Sequence, residues 1–282
     1  RAALSSAVRQ RAAGLGAAVT ALGELDVLVA GARFTRRHRC RVARIAAEPS
    51  LAIRGGRFLP LEIELAAEGR NFTPVDVELH DIAVLTGPNM GGKSVCLRTC
   101  GFVALCAAFG LPVPADSAEV SLFDEIAWLG IGGDDDRPGG LLSSFAKEVV
   151  RLREVLERGG TRLFVLLDEF ARSTTPLEGK ALLVALLERL RERNARGLAA
   201  THLAGVAAAA GVRHFAVRGL RGIPQRPPTG DLHDALAMLS TSMDYTIAEV
   251  DGDAATAADA IALASLLGLD GELIDAAYRH LK

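Results

Sequence analysis

Gly87-Pro88-Asn89-Met90-Gly91-Gly92-Lys93-Ser94 decides how the rest of this chain is read. It satisfies G-x-x-x-x-G-K-[ST]. Its flanks are those the pattern requires: the apolar run Asp81 to Thr86 (DIAVLT) before it and a helical segment, Ser94 to Gly110, after it. The glycines let the backbone wrap closely and aim its N–H groups at phosphate oxygens. The helix starting near Lys93 adds the positive end of its dipole. Lys93 is then placed to reach β- and γ-phosphates, and Ser94 to ligate Mg2+. A chance glycine-rich turn does not bring strand, loop, Lys-Ser and helix together.

The second half of a nucleotide site lies downstream. Leu163 to Leu167 reads as a buried strand and leads into Asp168-Glu169. Asp168 is the candidate holder of the Mg2+ water shell, and Glu169 orients or deprotonates an attacking water. A further apolar strand, Gly197–Ala200, ends at Thr201-His202. A His there can sense a γ-phosphate or bind the attacking water, or serve as a hydrogen-bonded structural group.

Around these motifs the elements alternate. Residues 1 to about 30 read as helix, residues 51–85 as strand-like with breaks at Gly55-Gly56, Pro60 and Pro74, and 111–140 as strands with a glycine-rich loop. Helices are expected at 143–158 and 177–193, an antiparallel edge around a proline-rich loop at 212–250, and two short helices at 255–282. Strands alternating with helices predict an α/β fold with a mostly parallel sheet.

Composition bounds the rest. The chain has 282 residues, 50% hydrophobic and 23% charged, with a net charge of -2. That excludes a disordered chain and a wholesale basic nucleic-acid coat. No uninterrupted apolar stretch reaches the roughly 18–20 residues of a membrane span, and the start lacks the apolar middle of a signal peptide. The chain does not begin with Met, so it reads as a piece of a longer protein. Cys40, Cys96, Cys100 and Cys106 have no metal spacing and read as small buried hydrophobes of a reducing compartment. The basic run Arg33 to Arg44 is a solvated connector or a phosphate-contacting patch.

GPNMGGKS, with Asn-Met inside the loop, resembles the MutS mismatch-repair ATPases. So do SSFAKEV at 143–149 (the signature segment), LLDEFARSTTPLEG at 166–179 (the Asp-Glu segment and the loop after it) and ATH at 200–202. ALGELDVLVAGA at 21–32 looks like the end of that family's lever helix, and ALASLLGLDGELIDAAYRHL at 262–281 like its closing helices. The resemblance implies a P-loop NTPase of the ABC-ATPase-like type with a short helical N-terminal segment. It divides the chain into the end of the lever domain at 1–45, the ATPase domain at 46–250 and interface helices at 251–282.

It implies ATP and Mg2+ as cofactors. Residues 87–95, from Gly87 to Val95, would contact the nucleotide, with Asn89 on a phosphate or the attacking water. Phe72 matches the aromatic that stacks on adenine; the competing reading is a core Phe on a strand. Ser143 matches the signature Ser that reaches the other subunit's ATP, unless it only caps a helix. The implied partners are a second MutS-type subunit (a homodimer first), a MutL-type protein, and mismatched or branched DNA through domains outside this sequence. A cytoplasmic location follows, with no membrane.

The departures are specific. Ala171-Arg172-Ser173-Thr174-Thr175-Pro176 replaces Gly-Arg-Gly-Thr-Ser-Thr, and Pro176 removes an N–H from a loop expected at the dimer interface. The acidic loop Asp134-Asp135-Asp136 is followed by a longer glycine-rich stretch, and the proline-rich loop near 224–228 and residues 253–260 diverge. The family's mismatch-reading domain, which carries its Phe-x-Glu wedge, is expected far upstream of these residues. Two rivals therefore stand: a diverged MutS-like ATPase outside mismatch repair, acting in recombination control or as a chaperone-like ATPase, and a nucleotide-bound dimerisation module without turnover.

Overall fold

In the computed structural model, residues 2–88, 91–130, 144–158, 161–220, 242–251 and 259–280 are described. In chain order the elements are α1 (Ala2–His38), β1 (Arg44–Ile45), β2 (Leu51–Gly56), α2 (Leu59–Ala67), β3 (Val75–Leu79), β4 (Ile82–Thr86), α3 (Lys93–Ala108), β5 (Ser117–Val120) and β6 (Glu125–Gly130). Then follow α4 (Ser144–Arg158), β7 (Leu163–Asp168), α5 (Pro176–Glu192), β8 (Arg196–Ala200), α6 (Val206–Ala210), β9 (Arg213–Leu220), β10 (Met243–Glu249), α7 (Asp259–Leu266) and α8 (Gly271–His280).

The fold is mixed α/β with two sheets. The six-stranded sheet has the order β10-β9-β4-β8-β7-β6. Its pairings are parallel except at the β10–β9 edge, as the alternation of strands and helices predicts. Strand β8 lies between β4 and β7, so the ends of all three point to the same edge. The smaller sheet, ordered β1-β5-β2-β3, joins β2 to its neighbours antiparallel.

Side-chain alternation splits the core into two layers. Ala83 and Leu85 on β4, with Phe164 and Leu166 on β7, face α3 and the smaller sheet; Ile82, Val84, Val165 and Leu167 face α5 and α6. On α5, Leu183, Leu186, Leu187 and Leu190 recur at i, i+3, i+4 and i+7, which puts one apolar stripe on the sheet. Each such fully buried side chain stabilises the fold by about 1.5–3 kcal/mol before entropy is counted. All four cysteines are free and buried, three of them on α3. Burial pushes the Cys106 thiol up to about 11.

Several sequence expectations need correction. Residues 59–67 are not strand but helix α2, because Pro60 falls in a first helical turn, where its missing N–H costs nothing. The N-terminal helix is not short: α1 runs 37 residues to His38 and takes in the first half of the basic run. By length and composition alone, Val8–His38 is also apolar enough to cross a membrane. Counting only uninterrupted apolar runs misses this, since Glu24 and Asp26 fall inside the helix. The short α6 is a further element that the sequence reading did not include. Pro176 occupies the first turn of α5, behind the N-cap Thr175, so its lost N–H is one that no helical bond needs.

Candidate functional site

The loop after β4 closes at the N-terminus of α3. Gly92 caps that helix in the left-handed region (φ 85°), with the Tyr245 ring so close that a Cβ would stand 3.1 Å from it. Lys93 is buried, and its Nζ donates to the carbonyls of Gly87 (2.8 Å) and Pro88 (3.1 Å). The same Nζ lies 3.6 Å from Glu169 Oε1. The ammonium is thus held at the mouth of the loop, among acceptors that an anionic ligand can replace.

The next residue joins the two halves. Ser94 Oγ donates to Asp168 Oδ1 at 2.9 Å, tying the first turn of α3 to the end of β7. Burial pushes the Asp168 carboxyl above its ordinary range; the adjacent Glu169 charge adds to this, while the Ser94 hydroxyl, Arg98 and Lys93 oppose it. A divalent cation beside this carboxylate would offset that cost. A hydroxyl and one carboxylate are hard oxygen donors, and they fit Mg2+, which takes one or two protein oxygens and completes its shell with water and phosphate. Among the described residues no cluster of three acidic, His or Cys side chains forms a self-sufficient metal cage.

Glu169 begins a tight turn. Its φ is 55°, and Ala171 has φ 59°, where glycine is the usual occupant. One carboxylate oxygen meets Lys93 and the other is in a short hydrogen bond with His202 Nδ1, so the end of β8 holds the end of β7. The Ala171 N–H donates to Glu148 Oε2 on α4 at 3.1 Å, and burial raises the Glu148 carboxyl above its usual value. Behind the loop, Thr86 Oγ1 and His214 Nε2 form a buried pair at 2.8 Å.

Gly92, Lys93, Ser94, Glu169 and Tyr245 border a cavity of about 940 Å³. Of the residues singled out in the sequence, Phe72, Pro88, Gly91, Gly92, Lys93, Ser94, Val95 and Glu169 line it. Gly87, Asp168 and His202 touch the lining through Lys93, Ser94 and Glu169. Phe72 is partly buried and lies in an irregular segment beside the cavity, not on a strand. Asn89, Met90, Ser143 and the acidic loop at 134–136 lie outside the described residues. Leu61 and Leu65 of α2, Arg172, Met243, Tyr245 and Ile247 also line the cavity and were not foreseen as site residues. For the last three a signal existed: Met243, Tyr245 and Ile247 fall at the two-residue period of one strand face.

Residues 83–220 match the family model of MutS domain V. The chain belongs to the MutS family. It is 41% identical over 209 residues to a DNA mismatch repair protein MutS of Thermus thermophilus, covering 71% of this chain and 24% of that protein. It is 35% identical over 200 residues to Endonuclease MutS2 of Pelotomaculum thermopropionicum, covering 71% of this chain and 25% of that protein. The Endonuclease MutS2 of Carboxydothermus hydrogenoformans is 36% identical over 188 residues, 66% of this chain and 23% of that protein. The chain thus spans about a quarter of the length of the curated MutS and MutS2 relatives it matches.

Proposed function

We propose that this chain is the ATP-binding and ATP-hydrolysing module of a MutS-type DNA mismatch repair protein, a P-loop NTPase of the ABC-ATPase-like type. One observation carries the reading: Lys93, Ser94, Asp168, Glu169 and His202 converge where β4, β7 and β8 end, and Lys93, Ser94 and Glu169 share with Phe72 the lining of one cavity. Residues 46–250 form the ATPase domain in this reading, 1–45 the end of the lever and 251–282 the helices of the subunit interface.

Adenine packs on Phe72, and the backbone of residues 87–94 with Lys93 binds the phosphates. Ser94 and Asp168 would hold Mg2+, which when bound would neutralise charge on the phosphate oxygens. Glu169 takes a proton from the attacking water as its oxygen bonds the γ-phosphorus and the bond to ADP breaks. His202 keeps the Glu169 carboxylate aimed at that water. The functional unit is a dimer, a homodimer in the first instance, with Ser143 reaching the partner's nucleotide. It meets mismatched or branched DNA, and a MutL-type protein, through domains outside this sequence, in the cytoplasm.

The test is direct. Purified protein should bind a fluorescent ATP analogue, release phosphate with Mg2+, and lose both with Lys93→Ala. Absence of nucleotide binding by the wild type would sink the reading. Release of phosphate rules out a dimerisation module that only holds nucleotide.

A second reading has its own support: the MutS2 of Pelotomaculum thermopropionicum is matched over the same 71% of this chain as the MutS of Thermus thermophilus. The module would then serve a diverged MutS-like ATPase outside mismatch repair. The full-length protein decides, by whether it binds a G·T heteroduplex more tightly than matched DNA.

A further inference from the structure

Arg57 follows the last residue of β2 and is only 8% exposed, a rare position for an arginine. Its guanidinium is fully occupied on two sides. Nη1 donates to both carboxylate oxygens of Glu62 on α2, at 3.0 and 2.8 Å. Nη2 donates to the carbonyls of His38 and Arg39, at 2.6 and 3.0 Å. Those are carbonyls at the C-terminus of α1, which no helical N–H can satisfy. One buried cation therefore caps the N-terminal helix and ties it to α2.

The other surroundings of Arg57 lead to the cavity. Its own N–H donates to Pro114 O at 2.9 Å. A Cβ on the preceding Gly56 would stand 3.1 Å from Thr99 Cγ2 on α3, so backbone and helix are in contact there. The following Phe58 packs edge-on against Phe102 of α3, with ring centroids 5.7 Å apart. Helix α3 begins with Lys93, and α2 lends Leu61 and Leu65 to the cavity wall. Displacement of α2 by a ligand reaches Arg57 through Glu62, and displacement of α3 reaches it through its chain neighbours Gly56 and Phe58. Of its five hydrogen bonds, the Nη1 pair holds Glu62 and the Nη2 pair holds the carbonyls at the end of α1, so one planar, charged group bridges the two helices.

We infer that Arg57, with Glu62, is the joint through which the state of the cavity is transmitted to α1. The inference rests on the cavity being a nucleotide site. Arg57 touches no ligand; it is a positioning residue whose loss should separate binding from transmission.

Hydrogen exchange of the peptide covering residues 34–41 reads the joint, measured with and without a non-hydrolysable ATP analogue and Mg2+. In the wild type the nucleotide should change that exchange by about threefold or more, the signature of a shifted local equilibrium. Arg57→Lys keeps the charge but not the fork, and should abolish the change while nucleotide affinity stays within about threefold. Glu62→Gln, with the least change of shape, should reduce it part way and guards against a variant that merely misfolds. A full response in both variants overturns the joint, as does a wild type that binds nucleotide without responding. A wild type that binds no nucleotide overturns the nucleotide reading itself, and the joint with it.

Discussion

Glu148 accepts a 3.1 Å hydrogen bond from the backbone N–H of Ala171, linking α4 to the strained turn that follows Glu169. Two non-glycine residues in the left-handed region cost about 1 kcal/mol or more each, so that turn persists only where its surroundings hold it. Glu148 is one such hold, and the Glu169–His202 hydrogen bond is another.

Glu148→Ala should therefore slow ATP turnover about tenfold, through a misaimed Glu169, with little change in nucleotide affinity. Glu148→Gln keeps an acceptor and should recover most of the rate. Steady-state phosphate release at several ATP concentrations separates the two effects; a raised KM with unchanged kcat would contradict the prediction.

Glu169→Gln should retain nucleotide binding and lose turnover by about 10²-fold or more, the usual worth of a positioned general base. Lys93→Ala should instead lose binding, because Lys93 is the cation at the loop mouth. Equilibrium binding of a fluorescent analogue, beside phosphate release, checks both.

Two glycines in the core should respond very differently to alanine. At Gly197 on β8 a Cβ would overlap the Val165 carbonyl oxygen of the neighbouring strand, and backbone cannot yield. Gly197→Ala should cost about 4 kcal/mol or more, or prevent folding. At Gly101 the obstacle is Leu166 Cδ1 at 2.8 Å, the far end of a side chain, and alanine gains helix propensity. Gly101→Ala should change stability by no more than about 1 kcal/mol. Urea unfolding of both variants measures the contrast.

The start of α5 should be sensitive to acid. Thr175 caps it, accepting from the Glu178 N–H at 3.4 Å, while the hydroxyls of Thr175 and Thr174 donate to Glu178 Oε2 at 2.8 and 3.1 Å. These hydroxyls, Thr175 first, hold the Glu178 carboxyl below its usual range. A lowered folded value gives stabilisation that is fully present above the ordinary carboxylate pKa. It is lost as pH falls through the lowered value. Melting temperatures of wild type and Glu178→Gln should therefore differ at neutral pH and converge in acid. Thr175→Ala should cost about 1 kcal/mol at neutral pH.

Much of the site was legible because its parts are local. GPNMGGKS places its glycines, lysine and serine within eight consecutive residues, and DE and TH each end a short apolar run that reads as buried strand. The same holds for α5, whose leucine spacing is a helical stripe. At residues 59–67 two local signals compete. Pro60 reads as a strand breaker or as a first-turn helix residue, and only the packing of Leu59 against its surroundings selects the second.

By itself, then, the sequence determined the α/β alternation, the glycine-rich turn between β4 and α3 and the acidic and His strand ends, because each depends on neighbours a few residues away. Tertiary structure alone decided the strand order that inserts β8 between β4 and β7, and so brings His202 onto Glu169 across 33 residues of chain. It also decided that Arg57 reaches back to His38 and Arg39, and that Tyr245 closes on Gly92. Such contacts are set by which buried faces pack together, a property of the whole core that no single stretch of residues encodes.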